Sequence, residues 1–163
     1  LRWTDGVTRL SMGLLMLVAI VVLVVGLYRT LDANIQASRA ELKGITVVKP
    51  LQRVIQYMQQ HRGLSAGVLA GNEEMKPKRI AKEKDVVDAI KATEAVMTPD
   101  LIASKEWKAI AAEWATIRSD VLGWTGPESF RRHTLLIEHV LTFMISVADN
   151  YHLTIDPDID SFY

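Results

Sequence analysis

Residues 10–28 read LSMGLLMLVAIVVLVVGLY, 19 uncharged residues between Arg9 and Arg29, with an unbroken apolar run from Leu14 to Val25. At the helical rise per residue such a segment is roughly 28 Å long, close to the hydrocarbon thickness of a bilayer. The stretch predicts a transmembrane helix. A buried core helix of a soluble protein is usually shorter and keeps one polar face. A cleaved signal peptide would need a small-residue cleavage pattern after Tyr28, and none follows. Basic residues do not orient the span: Arg2 and Arg9 lie on one side, Arg29, Arg39 and Lys43 on the other.

Working outward, residues 1–9 form a short tail, cytoplasmic if the N-terminus is inside, and residues 29–163 a water-facing module. Of the 19 Lys+Arg and 19 Asp+Glu, only Arg2, Arg9 and Asp5 precede Arg29, so the module carries 17 and 18 and is nearly neutral. That balance argues against a nucleic-acid binder and against an acidic disordered chain. The chain holds no Cys, which excludes disulfides, thiolate metal sites and a cysteine nucleophile. A fragment is expected, because the chain starts at Leu1 rather than Met and a helix opened by Asp156-Pro157 is cut at Tyr163.

The module reads as all-α. The first helix leaves the span through Leu31, Ile35 and Leu42, then meets Gly44 and Pro50, where a kink or restart is predicted because proline removes a helical hydrogen bond. From Leu51 a stripe at alternating steps of four and three takes in Ile55, Met58, Arg62, Ser65 and Leu69, and Gly71-Asn72 signals the helix end. A second helix, about Glu74 to Met97, has Pro77 in its first turn and an apolar face of Ile80, Val87, Ile90 and Met97. The third starts at the N-cap candidate Ser104 and carries Trp107, Ile110, Trp114, Ile117 and Val121. The fourth begins at Gly126-Pro127 and carries Phe130, His133, Ile137, Val140, Met144, Val147 and Tyr151. Short connections between helices of this length favour an antiparallel up-down bundle continuing from the transmembrane helix.

The stretch Glu41–Asn72, with Gln59, Arg62, Gly63 and Ser65 as a Gln-x-x-Arg-Gly-x-Ser core, resembles the first extracytoplasmic helix of bacterial transmembrane receptors with nitrate- and nitrite-sensing helical domains. The segment Asn150–Tyr163, NYHLTIDPDIDSFY, is similar to a Leu-Asp-Pro-Asp-x-Asp-Ser-Tyr-Tyr element of the same receptors, with Ile155 and Phe162 in place of Leu and Tyr. Such receptors include methyl-accepting chemotaxis proteins, sensor histidine kinases and diguanylate cyclases. The resemblance implies a cytoplasmic N-terminus, a periplasmic sensor domain in the bacterial inner membrane, a homodimer, and anion recognition by paired helix arginines. Here the pair at that place is His61-Arg62, so the first basic residue is an imidazole.

Arg62 on an apolar stripe needs a partner or a ligand. One reading is an anion site made by His61, Arg62 and Ser65 with Arg131, Arg132 and His133. Arg62 is about 13 Å from the Gly71 turn and Arg131 about 6 Å from Pro127, so both fall near the same, membrane-distal end. The other reading pairs Arg62 with an acid such as Glu128 and leaves Arg131 and Arg132 solvated. Trp107 and Trp114 fall on the third-helix seam and read as core, while Trp3 suits the membrane interface. Asp156, Asp158 and Asp160 do not make a calcium loop, with Pro157 and Ser161 at the wrong positions; Asp156 reads as a helix cap. Ser65 lies four residues from His61, yet no oxyanion-hole loop or third orienting group accompanies them, so no catalysis is read and no cofactor is implied.

The expected function is signal transduction: a small anionic ligand, or a periplasmic binding protein, biases helix packing, and the shift passes through the bilayer to a cytoplasmic output, most simply of the chemotaxis type. The rival is a membrane-anchored helical scaffold without a ligand.

Overall fold

In a computed structural model the protein is all-α, with no strand among the described residues. Residues 2–151 and 153 are described, with side chains from Met12 onward. Trp3 as an interface anchor, His152 and the Asp156–Tyr163 segment lie outside them. The helices are α1 (Arg2–Leu69), α2 (Met75–Glu94), α3 (Pro99–Ala103), α4 (Lys105–Asp120) and α5 (Gly126–Asn150), with a 3₁₀ turn at Val121–Gly123 between the last two.

The chain divides into two compact units, Leu1–Ala40 and Glu41–Tyr163. In the first, the apolar residues of α1 from Leu14 to Val25 are exposed, Leu23 by 72% and Leu14 by 65%. Among the described residues this helix is long and apolar enough to cross a membrane, and its apolar stretch is unburied by protein. The second compact unit begins at Glu41, and Leu31 and Ile35 before it are exposed.

In the second unit one hydrophobic core is shared by α1, α2, α4 and α5. Val47, Leu51, Val54 and Met58 meet Val86 and Ala89, the α4 seam of Trp107, Ile110, Trp114 and Ile117, and Leu136, Val140, Phe143 and Val147 of α5. The α4 face is the one its three-and-four spacing predicts, and Ser104 caps it by accepting from the Trp107 N–H at 3.2 Å while donating to the Leu101 carbonyl at 2.7 Å. Thr125 caps α5 in the same way, with Pro127 in the first turn.

Three expectations change. The helix neither stops nor restarts at Pro50, which lies inside α1. Val47, Leu51 and Val54 on both sides of it are buried, and that burial, about 1.5–3 kcal/mol per side chain, offsets the lost hydrogen bond. The second helix does not reach Met97: α2 stops at Glu94, and Thr98 caps the short α3 that Pro99 opens. The inward face of α2 is turned one residue from the predicted one, whereas Leu51, Ile55, Met58 and Ser65 of α1 and His133, Ile137, Val140 and Val147 of α5 are buried as predicted. In α1, Val54, His61 and Val68 join the buried face while Arg62 and Leu69 are only half-buried; in α2 the buried residues are Arg79, Val86, Ala89 and Thr93, with Ile80 61% exposed. In α5, Ser129 and Phe143 are buried where Phe130 and Met144 were expected, and Phe130 is 52% exposed.

The first turn between helices follows from Gly71. Its φ of 92° is left-handed, which glycine adopts without a Cβ clash. The Asn72 N–H donates to the Gly67 carbonyl and the Gly71 N–H to the Val68 carbonyl, both at 3.0 Å, so the last carbonyls of α1 are satisfied before the chain turns into α2.

Candidate functional site

The inward faces of four helices assemble a polar cluster inside the core. His61 comes from α1, Arg79 from α2, Trp114 from α4, and His133 with Ser129 from α5; His61 and His133 are completely buried and Arg79 is 7% exposed. Buried polar groups must be hydrogen-bonded to be tolerated, and here the partners settle the proton positions. His133 Nδ1 lies 2.7 Å from the Ser129 carbonyl oxygen, which only accepts, so Nδ1 carries the proton and Nε2 is bare. His61 Nδ1, 2.9 Å from that bare nitrogen, therefore donates to it. His61 Nε2 is then left to accept from Arg79 Nη1 at 3.1 Å. The donors run in one direction from Arg79 through His61 and His133 to Ser129, linking three helices. Arg79 Nη1 also donates to Glu83 Oε2 at 3.3 Å, and Glu83 Oε1 accepts from Arg118 Nε at 3.1 Å, which ties α4 into the same network.

Both imidazoles are neutral at physiological pH. Burial lowers the His61 pKa to about 3, helped by His133 and then Arg79. Burial also lowers His133; the bond to the Ser129 carbonyl works the other way, and Arg62 and Arg79 add to the lowering. The His61 ring meets the Trp114 indole edge-on, with centroids 5.1 Å apart.

Three buried side-chain atoms flank His61 without a hydrogen-bond partner: Ser65 Oγ, Arg79 Nε and Trp114 Nε1. Ser65 is one turn further along α1, Arg79 is bonded to His61, and Trp114 packs against it. All three can donate, and a buried donor left unmade costs about 1–3 kcal/mol. Their common requirement is an acceptor. Ser65 Oγ is not hydrogen-bonded to His61, so the two do not form a nucleophile–base couple. Among the described residues no group of three His, Cys, Asp or Glu side chains is arranged to hold a metal ion.

Of the six residues singled out in sequence, the structure brings together His61, Ser65 and His133, with Arg62 half-buried beside them. Arg62 Nη1 donates to Thr134 Oγ1 at 2.9 Å, and its guanidinium lies 4.5 Å from the centre of the Phe130 ring. Arg131 and Arg132 are placed elsewhere. Arg131 makes a bidentate pair with Glu128 at 2.8 and 2.9 Å, and Arg132 bonds the same carboxylate while its guanidinium stacks 4.4 Å from the Trp124 ring centre. These two arginines hold Glu128 down to about 2, so Glu128 is their partner rather than that of Arg62. The reason is helical geometry. At 100° per residue, Phe130 and Thr134 lie on the α1 flank of α5, whereas Arg132 and Leu135 lie on the α4 flank, where they border a groove of about 290 Å³ with Thr116 and Trp124. The single six-residue cluster is thus two arrangements on opposite sides of one helix.

Arg79 is the site residue that sequence reasoning missed. Its neighbour Ile80 drew the predicted face one residue round, and a charged residue at a core position carries no periodic apolar signal. One sign was present: Arg79, Val86, Ala89 and Thr93 repeat at sevens, threes and fours. No protein-family model, no curated protein and no solved structure matches the chain.

Proposed function

We propose that this chain is the sensing part of a bacterial inner-membrane receptor, with α1 crossing the bilayer from a cytoplasmic N-terminus and the remaining helices forming an antiparallel up-down bundle in the periplasm. The ligand is a small oxyanion or carboxylate, and the receptor acts as a homodimer with a chemotaxis-type output. The observation that carries this reading is the set of three unpartnered donors around His61, on a helix that also bears a lipid-length apolar stretch. An anion accepts from the Arg79 guanidinium, Trp114 Nε1 and Ser65 Oγ together, which relieves three unmet bonds at once. Signalling then requires that the anion prefer one packing of α1 against α2, α4 and α5 over another, because a ligand that binds both equally shifts nothing. Arg131 and Arg132 take no part in this site.

The test is calorimetric titration of the full chain in lipid nanodiscs with nitrate, nitrite and acetate. Saturable binding of at least one is expected, with affinity falling roughly tenfold or more in Ser65→Ala and in Trp114→Phe, each of which deletes one donor. Absence of binding by all three, or unchanged affinity in both variants, defeats the proposal. A second reading, a membrane-anchored scaffold whose helices bind other helices, draws on the exposed Leu31, Ile35 and Leu42 of α1. Coding sequence for a second span and a signalling domain after Tyr163 favours the receptor, and its absence favours the scaffold.

A further inference from the structure

A groove of about 570 Å³ opens between α4 and α5, and His61, Arg79 and His133 are absent from its walls. It exists because the rim side chains are small: Ala109 on α4, Thr142 and Ser146 on α5. Its floor is the buried apolar set Ile110, Phe143 and Val147. The volume lies within the range of about 300–1,000 Å³ typical of small-molecule sites, with mostly apolar walls and a few fixed polar groups.

The charge of this groove is one-sided. Glu106 and Glu113 line it, and no Lys or Arg does. The two acids are seven residues apart on one strip of α4, about 10 Å along the axis, with Ile110 between them. His139 Nδ1 lies 2.9 Å from Glu113 Oε2, which holds the carboxylate at the α5 rim, while Oε1 has no hydrogen bond among the described residues. Glu106 makes no ion pair among the described residues.

We propose that this groove is a second ligand site, for organic ammonium compounds with an apolar body. The ammonium group donates to Glu113 Oε1, with Glu106 supplying a second negative charge two turns away, and the apolar body covers the floor that the small rim residues leave open. A carboxylate of the same shape meets two like charges and is excluded. The site is independent of the anion cluster, since the two share no residue.

The full chain in lipid nanodiscs is titrated with 2-phenylethylammonium, 2-phenylethanol and 3-phenylpropionate, with empty nanodiscs subtracted. The ammonium is expected to bind saturably and at least roughly tenfold more tightly than the alcohol, with no binding of the carboxylate. Glu113→Gln abolishes that preference, and Ser146→Leu, which fills the exposed rim, abolishes binding of both the amine and the alcohol. Equal affinity for amine and alcohol would mean a merely apolar slot and overturns the proposal, as does carboxylate binding, no saturable amine binding, or a preference that survives in Glu113→Gln. Ser146→Leu leaves any nitrate titration unchanged, so failure here is distinct from failure of the anion site.

Discussion

His61 and His133 are held neutral by their surroundings, and the single-direction chain of donors has no room for another proton. A proton on His61 Nε2 would face the Arg79 donor, and one on His133 Nε2 would face the His61 N–H. The unfolded chain titrates both near the ordinary value of 6.5, whereas the folded values are lower, that of His61 about 3. The unfolded state therefore binds more protons below about pH 6.5. The stabilisation is fully present above that pH and is lost progressively as pH falls toward the folded pKa values, by up to about 1.4 kcal/mol per pH unit for each histidine. Denaturant unfolding of the chain in detergent, followed by tryptophan fluorescence between pH 7 and 6, measures this slope; Glu128, ordinarily titrating near 4.5 and lowered in the folded chain, adds little in that window. An identical slope in the His61→Phe, His133→Leu double variant would show that the pair is not responsible. At this scale the sequence singled out His61, Arg62, Ser65 and His133. Ser65 and His133 fall on the predicted apolar stripes and are buried, whereas His61, one residue round from the predicted stripe, gave no sign that it turns inward, because adjacent residues differ by 100° around the helix.

Elements were more legible than faces. The caps at Ser104, the proline-led start of α5 and the glycine turn at Gly71 are local chemistry, decided by a few neighbouring residues, and they lie where the sequence places them. Gly44 was read as a weak point of the first helix, but its role is close approach. A Cβ built there falls 2.5 Å from Tyr151 Cβ, which is fixed to the backbone just after α5, and 2.8 Å from a Leu153 methyl. Gly44→Ala is expected to destabilise the domain by roughly 1–3 kcal/mol through overpacking, read as a lowered denaturation midpoint. An unchanged midpoint would show that the Tyr151–Leu153 segment does not press on α1. Pro50 carries the complementary lesson: a local helix breaker is overruled when buried residues flank it on both sides.

At the scale of the whole molecule, the exposed apolar stretch of α1 is long and apolar enough to cross a membrane, and the proposed spanning role is testable. The chain expressed in bacteria is expected to remain in the membrane pellet through alkaline extraction. Val21→Arg, near the centre of the stretch, costs about 2.5–3.5 kcal/mol of insertion and shifts protein toward the soluble or degraded fractions. Recovery of the unaltered chain in the detergent-free supernatant would defeat the membrane assignment.

The sequence alone determined the helical class, the cap at Ser104, the Gly126-Pro127 start of α5, the Gly71 turn and the lipid-length segment, because each follows from propensity, capping and composition over a short stretch of chain. Only the tertiary structure decided that Arg79 of α2 and His61 of α1 turn inward, and with them the His61–His133–Arg79 cluster and the separation of Arg131 and Arg132 from it. The physical reason is that a buried polar side chain is tolerated through partners supplied by other helices, and those partners lie as far as 72 residues away.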